Sequence, residues 1–245
     1  MATTALAGPA SIGAHAHVVV EDLGSLALDD GDLHHLARVL RIRPGAAVTA
    51  TDGRGSWRPA SAPPGWPASG DALIPEGPVL AMQARVPRIT VGLALVKADR
   101  PEWAVQKLTE LGADAIVFVA ADRSVVRWDE PKVERNLERL RVVARAALMQ
   151  SRGVWLPSLD GVVTVAQVRE AMPDAALAEA GGSAASLARP TVLIGPEGGW
   201  SAAELEMLTA RVSLSEQVLR SETAAVACVT LLAALRSRPG APGPD

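Results

Sequence analysis

Between Ile89 and Arg236 the sequence switches repeatedly from short apolar runs to segments with helical spacing, and this alternation constrains the fold more than any other feature. Ile89 to Val96 reads as a buried strand. Pro101 to Leu111 reads as a helix, with Pro101 suited to its first turn and Gly112 to the position past its end. Ala115 to Ala120 is the next predicted strand. A helix from about Lys132 to Met149 follows, because Val133, Leu137, Leu140, Ala144 and Leu148 recur at helical spacing. The pattern repeats through Ala175 to Ala178, the strand Thr191 to Gly195, a helix Ser201 to Ala210, a short strand Val212 to Leu214 and a last helix from about Glu222 to Arg236. Ser201 and Glu204 make an S-x-x-E capping box that fixes one helix start. Gly181 to Arg189 is expected to be a flexible loop. Strand–helix alternation predicts an α/β domain with a mostly parallel sheet covered on both faces.

Upstream the grammar differs. Residues from about 17 to 75 hold short apolar runs, Val18 to Val20 and Ala46 to Ala50, separated by turn chemistry such as Asp52-Gly53-Arg54-Gly55. That predicts a small β-rich domain. Pro75 to Pro87 carries three prolines and a glycine, which interrupt any regular element and mark a boundary. The expected organisation is therefore a flexible N-terminus over 1–16, a β domain over 17–75, a linker over 76–88, an α/β domain over 89–238 and a disordered tail over 239–245.

With 245 residues, 49% of them hydrophobic, the chain can bury a substantial core. Its longest apolar stretches, Ile89 to Val96 and Ala224 to Leu235, fall short of the roughly 20 residues of a membrane helix, so no span is expected. Met1 to Ala16 lacks a basic segment followed by an apolar block, which argues against a secretory signal and for the cytoplasm. The single Cys228 lies in an Ala/Val/Leu run and reads as a core thiol. His15, His17, His34 and His35 have no Cys/His cluster at zinc-ligand spacing, so no metal is expected. A formal charge of −3 gives no general pull toward nucleic acid. Arginines nevertheless cluster at Arg38, Arg41 and Arg43, at Arg85 and Arg88, and from Arg135 to Arg152, as basic patches or as ordinary solvated faces.

Two segments carry chemistry. Val192 to Ser201 runs from a strand through Gly195-Pro196-Glu197-Gly198-Gly199 into the capped helix, which suits either a tight turn or a loop whose backbone approaches a ligand. It has neither the ending of a phosphate-binding P-loop nor the spacing of a dinucleotide fingerprint. Leu219-Arg220-Ser221-Glu222-Thr223 brings a guanidinium, hydroxyls and a carboxylate to the start of the last helix, for helix capping or for holding a phosphate.

The order and spacing of these segments resemble the RsmE family, which methylates N3 of a uridine in 16S ribosomal RNA. Gly-Pro-Glu-Gly-Gly followed by Trp200 and Ser201, and Leu-Arg-Ser-Glu-Thr-Ala about twenty residues later, resemble its paired cofactor motifs. Lys97, Asp99, Lys107, Glu110, Leu111 and Gly112 resemble a K…QKxTELG block, and Gln150-Ser151-Arg152 before Pro157 agrees in position. His34 and His35 followed by Val39-Leu40-Arg41 resemble the family's opening motif.

The resemblance implies a PUA-like β-barrel for RNA contact, then a SPOUT α/β domain with a C-terminal trefoil knot that binds S-adenosylmethionine in a homodimer acting on the small ribosomal subunit. On this basis the cofactor would be surrounded by Leu193, Ile194, Gly195, Pro196, Glu197, Gly198 and Gly199, and by Leu214, Ser215, Val218 and Leu219. Arg220 would orient the uridine or its phosphate and stabilise an anionic base, with Glu222 or Thr223 orienting Arg220. Arg152 and Glu110 are secondary candidates, and His34, Arg38, Arg41 and Arg123 would contact RNA, the arginines through its phosphates. Met149, Ser215 and Gln217 depart from the family pattern, and Ser215 in place of a glycine would narrow the cofactor loop if its position required a positive φ. The rival readings are a non-catalytic RNA-binding or ribosome-assembly module on the same scaffold, and a SPOUT methyltransferase acting on transfer RNA.

Overall fold

The computed structural model describes residues 8–68, 70–96 and 100–238. These fall into two compact units, one of residues 1–84 with 148–156, the other of 85–147 with 157–245. Lys97, Asp99 and the expected tail over 239–245 lie outside the described residues.

In the first unit, β1 (Ala16–Val19) pairs in parallel with β2 (Ala47–Thr51), joined by the short α1 (Asp30–His34) and a π-helical turn, His35–Val39. The Asp52-Gly53-Arg54-Gly55 turn then leads antiparallel into β3 (Ser56–Ser61), because the Asp52 carboxylate accepts from Arg54 N at 2.7 Å and Ser56 N at 3.0 Å. β4 (Ile74–Pro75) and β5 (Leu80–Ala81) pair along β3, so residues 80 and 81 of the expected linker are in fact a strand. Leu26, Leu36, Val48 and Ala60 fill the core beneath. Of the expected flexible N-terminus, residues 1–7 lie outside the described residues. Residues 8–16 are structured instead: Pro9–Ile12 forms a 3-10 turn, and Ala14 O accepts from the Arg152 guanidinium at 2.5 Å.

His17 ties the returning 148–156 segment into this unit. Its Nε2 lies 2.8 Å from Gly153 O and its Nδ1 2.8 Å from Thr49 Oγ1. A carbonyl only accepts, so Nε2 carries the proton and Nδ1 accepts from the threonine hydroxyl. Burial pushes the imidazole pKa below its ordinary value, the Gly153 bond offsets part of this, and the nearby Arg152 charge adds to the lowering. The unfolded chain therefore binds more protons than the fold as pH drops below about 6.5, and stability declines from there down to the lowered folded-state pKa. Urea midpoints should fall between pH 7 and pH 5, and His17→Gln should flatten that dependence.

The second unit is a six-stranded parallel sheet in the order β11-β9-β10-β6-β7-β8. Its elements follow in chain order as β6 (Thr90–Ala94), α2 (Arg100–Glu110), β7 (Ala115–Val119), α3 (Glu130–Ser151), β8 (Ser158–Val163) and α4 (Val165–Ala171). Then come β9 (Ala176–Ala184), β10 (Thr191–Ile194), α5 (Ala202–Met207), β11 (Arg211–Ser213) and α6 (Ser221–Arg236). Strand side chains alternate between faces. Val192 and Ile194 join a core with residues of α2, α3 and α6, whereas Leu193 points into a second core with Val165, Val168 and Trp200. No helix among the described residues is long and apolar enough to cross a membrane. Cys228 is fully buried in the first of these cores, where burial pushes its thiol up to about 12, so it is a packing residue as its sequence context suggested.

Two features depart from the sequence reading. β8 and α4, with its Thr164/Gln167 capping box, were not anticipated. The expected flexible loop from Gly181 is a strand as far as Ala184, paired with β11. Gly182 lies where the two backbones meet, since a Cβ there would stand 2.7 Å from Arg211 C and Val212 N. The residue that looked like loop chemistry is a close approach between strands.

Asp114 gathers the opposite, amino-terminal edge of the sheet. Its carboxylate accepts from Ile89 N and Arg85 Nη2, both at 2.9 Å, and from Arg236 Nη1; Arg236 also donates to Pro87 O and Gly112 O. Burial lowers the Arg85 pKa, with Asp114 opposing the change and Arg236 adding to it. The Arg236 side chain is 7% exposed, so Asp114→Ala leaves a buried guanidinium without its carboxylate. A loss of about 3–5 kcal/mol is expected by urea denaturation.

Candidate functional site

Because the strands are parallel, the loops that follow β10 and β11 emerge at the same edge of the sheet. Residues 194–197, Gly199 and Trp200, residues 213–220 and the first turn of α6 line a cleft of about 440 Å³, with Ala178 to Ala180 of β9 forming another wall. That size and its mixed apolar and polar lining suit a small organic cofactor.

The Gly-Pro-Glu-Gly-Gly loop is held on both flanks. Ser201 caps α5 and accepts from Glu204 N at 3.2 Å. The Glu204 carboxylate, 3% exposed, accepts from Ser201 N at 2.8 Å and Asp122 N at 2.9 Å, which joins the loop to the segment after β7. The capping box read from the sequence thus also carries a long-range contact. On the other flank Ser221 Oγ donates to Gly195 O at 2.7 Å, tying the loop to the start of α6. Trp200 is buried, its Nε1 donates to Ala178 O at 3.3 Å, and its ring packs on Gly195, where a Cβ would stand 3.0 Å away.

The predicted cofactor residues Ile194, Gly195, Pro196, Glu197, Gly199, Leu214, Ser215, Val218 and Leu219 all line this cleft. Leu193 and Gly198 do not: Leu193 points into the second core, and Gly198 abuts Arg123, whose guanidinium donates to its carbonyl at 3.1 Å. Ser215 does not adopt a positive φ, and its hydroxyl accepts from Gln217 N at 3.1 Å, so the condition for a narrowed loop is not met. Met149 packs against the core of the first unit.

Arg220 lines the cleft, is exposed, and its guanidinium has no protein partner among the described residues. Glu222 lies toward Arg100, 3.8 Å from its Nε, rather than orienting Arg220, and Thr223 is exposed outside the cleft lining. Arg152, at φ 57°, sits in the first unit with its guanidinium on Ala14 O. Glu110 pairs with Lys107 at 2.8 Å. His34, Arg38 and Arg41 stand exposed around the π-helical turn of the first unit, beside the exposed Val39 and Leu40. Sequence reasoning missed β9, Ser213 and Ala224 as cleft residues, and missed Arg100 altogether. Only tertiary pairing brings these in, although the aromatic after the glycines pointed to Trp200. Among the described residues no group of three or more His, Cys, Asp or Glu could hold a metal ion.

The chain thus consists of a small β unit followed in sequence by a parallel α/β domain with a cleft built from two loops at one sheet edge. A family model for an RNA methyltransferase domain matches residues 83–233, and one for an RNA methyltransferase PUA domain matches residues 28–61. The chain belongs to the ribosomal RNA small subunit methyltransferase E family. It is 34% identical over 253 residues to the member from Mycobacterium bovis, covering 89% of each chain, and 30% identical over 231 residues to that of Synechocystis, covering 86% and 73%. The fold, of SPOUT type, matches a crystal structure of the Neisseria gonorrhoeae enzyme bound to S-adenosyl methionine, with a TM-score of 0.72 at 23% identity over 87% of this chain and 94% of that one.

Gly195→Val would drive its methyls into the Trp200 ring and the cleft wall. A stability loss of about 1–3 kcal/mol is expected from urea titration.

Proposed function

We propose that this protein transfers a methyl group from S-adenosylmethionine to N3 of a uridine in the 16S ribosomal RNA of the small subunit. The observation that carries the proposal is the cleft between residues 195–201 and 214–220 in a chain of this family. The cofactor supplies an electrophilic methyl when bound. The backbone from Ile194 to Glu197, with Gly199, and the loop from Ser213 to Arg220 would hold it, in a C-terminal trefoil knot.

Uracil N3 carries a proton in the neutral base and becomes nucleophilic as that proton leaves. Arg220 stands at the cleft with its guanidinium uncommitted, so it can bind the uracil oxygens and stabilise the negative charge that develops there. Holding base and methyl in line supplies much of the remaining acceleration. Arg38, Arg41 and Arg123 contact phosphates, and His34 lies on the same RNA-facing surface as Arg38 and Arg41. Val218, 99% exposed on the cleft loop, is suited to a contact with a second copy, in keeping with a homodimer working in the cytoplasm.

Calorimetric titration of S-adenosylmethionine, paired with methyl transfer to small subunits lacking the modification, tests this reading. Arg220→Ala should bind the cofactor within about threefold of wild type yet lose about 100-fold or more in transfer. Failure of the folded wild type to bind would leave an RNA-binding scaffold, and transfer to transfer RNA alone would move the substrate.

A further inference from the structure

The start of α2 carries a charge bridge that the functional reading does not use. Arg100 pairs through Nη1 with the Glu197 carboxylate, and its Nε stands 3.8 Å from Glu222 Oε1. Glu197 belongs to the glycine loop and lines the cleft, whereas Glu222 is in the first turn of α6, next to Ser221 and Arg220. One guanidinium therefore spans the two segments that Ser221 Oγ joins through Gly195 O. The three side chains are unequally exposed, at 33% for Arg100, 50% for Glu197 and 13% for Glu222. The Glu222 Oε2 atom is buried without a hydrogen-bond partner, so this carboxylate depends on Arg100 for its compensating charge.

We propose that Arg100 is a positioning residue for methyl transfer, holding Glu197 and Glu222 at one separation so that the glycine loop and the Arg220 end of α6 are fixed before the cofactor enters. This rests on the methyltransferase reading. Without Arg100 the guanidinium that spans the two segments is lost, and the buried Glu222 carboxylate loses its compensating charge. Cofactor binding then has to supply the ordering that the bridge gives in advance.

Arg100→Ala should weaken S-adenosylmethionine binding about tenfold, equivalent to 1.4 kcal/mol, within the range of coupling for charges in one network. Its thermal midpoint without ligand should stay close to that of wild type, because a partly exposed bridge contributes little to global stability. Arg100→Lys should recover part of the affinity. Glu197→Gln combined with Arg100→Ala should cost less than the sum of the two single changes. The affinity losses should shrink as salt is raised. If folded Arg100→Ala binds as tightly as wild type, the positioning role is overturned while the methyltransferase reading stands. Equal loss in the Lys variant, or additive losses in the double variant, also overturns it. If Arg100→Ala fails to fold, the Lys and Glu197→Gln variants decide by the same criteria. Absence of binding by the wild type overturns both.

Discussion

The second unit depends on a single directional constraint: every strand runs the same way. A parallel strand cannot be followed by a tight hairpin, so each connection has to return along the outside of the sheet, and helices cover both faces. Leu193 between Val192 and Ile194 shows the result at one residue's resolution, with neighbouring side chains in separate cores. The same constraint gathers the turns that follow β10 and β11 at one edge. The cleft is therefore a product of topology before it is a product of any particular side chain.

Carboxylates fasten the two edges by different means. At the amino-terminal edge Asp114 is surrounded by arginines, which fix the start of the unit to its last helix. At the carboxyl-terminal edge Glu204 takes backbone amides from Ser201 and Asp122, which fix a loop. Charge against charge suits the first position because several chain segments converge there from a distance. Amide against carboxylate suits the second, because it determines where the backbone runs.

Much of this was legible in the sequence, for identifiable reasons. α2 carries its helical period, Pro101 in its first turn and Gly112 just past its end, all within one short stretch of chain. The glycine loop and Arg220 were legible because their motifs are local. β9 was not, since Gly181 and Gly182 have the composition of a loop and become strand only against Arg211 and Val212. Arg100 was invisible for a related reason: its two partners lie about a hundred residues away, and nothing in its own neighbourhood announces them. The role suggested for Arg152 came from position in a motif, whereas its guanidinium is used to hold the first unit together.

The clamp between Arg236 and the segment around Pro87, Gly112 and Asp114 also bears on when the molecule becomes functional during its own synthesis. Translation delivers β6, where the sheet begins, long before α6, which brings Ser221 to the glycine loop and Arg236 to the far edge. A nascent chain still lacking its last helix has neither a closed sheet edge nor a complete cleft. The cleft is therefore among the last features of the molecule to be completed, because the residues that close it and the residue that fastens the far edge both arrive with α6.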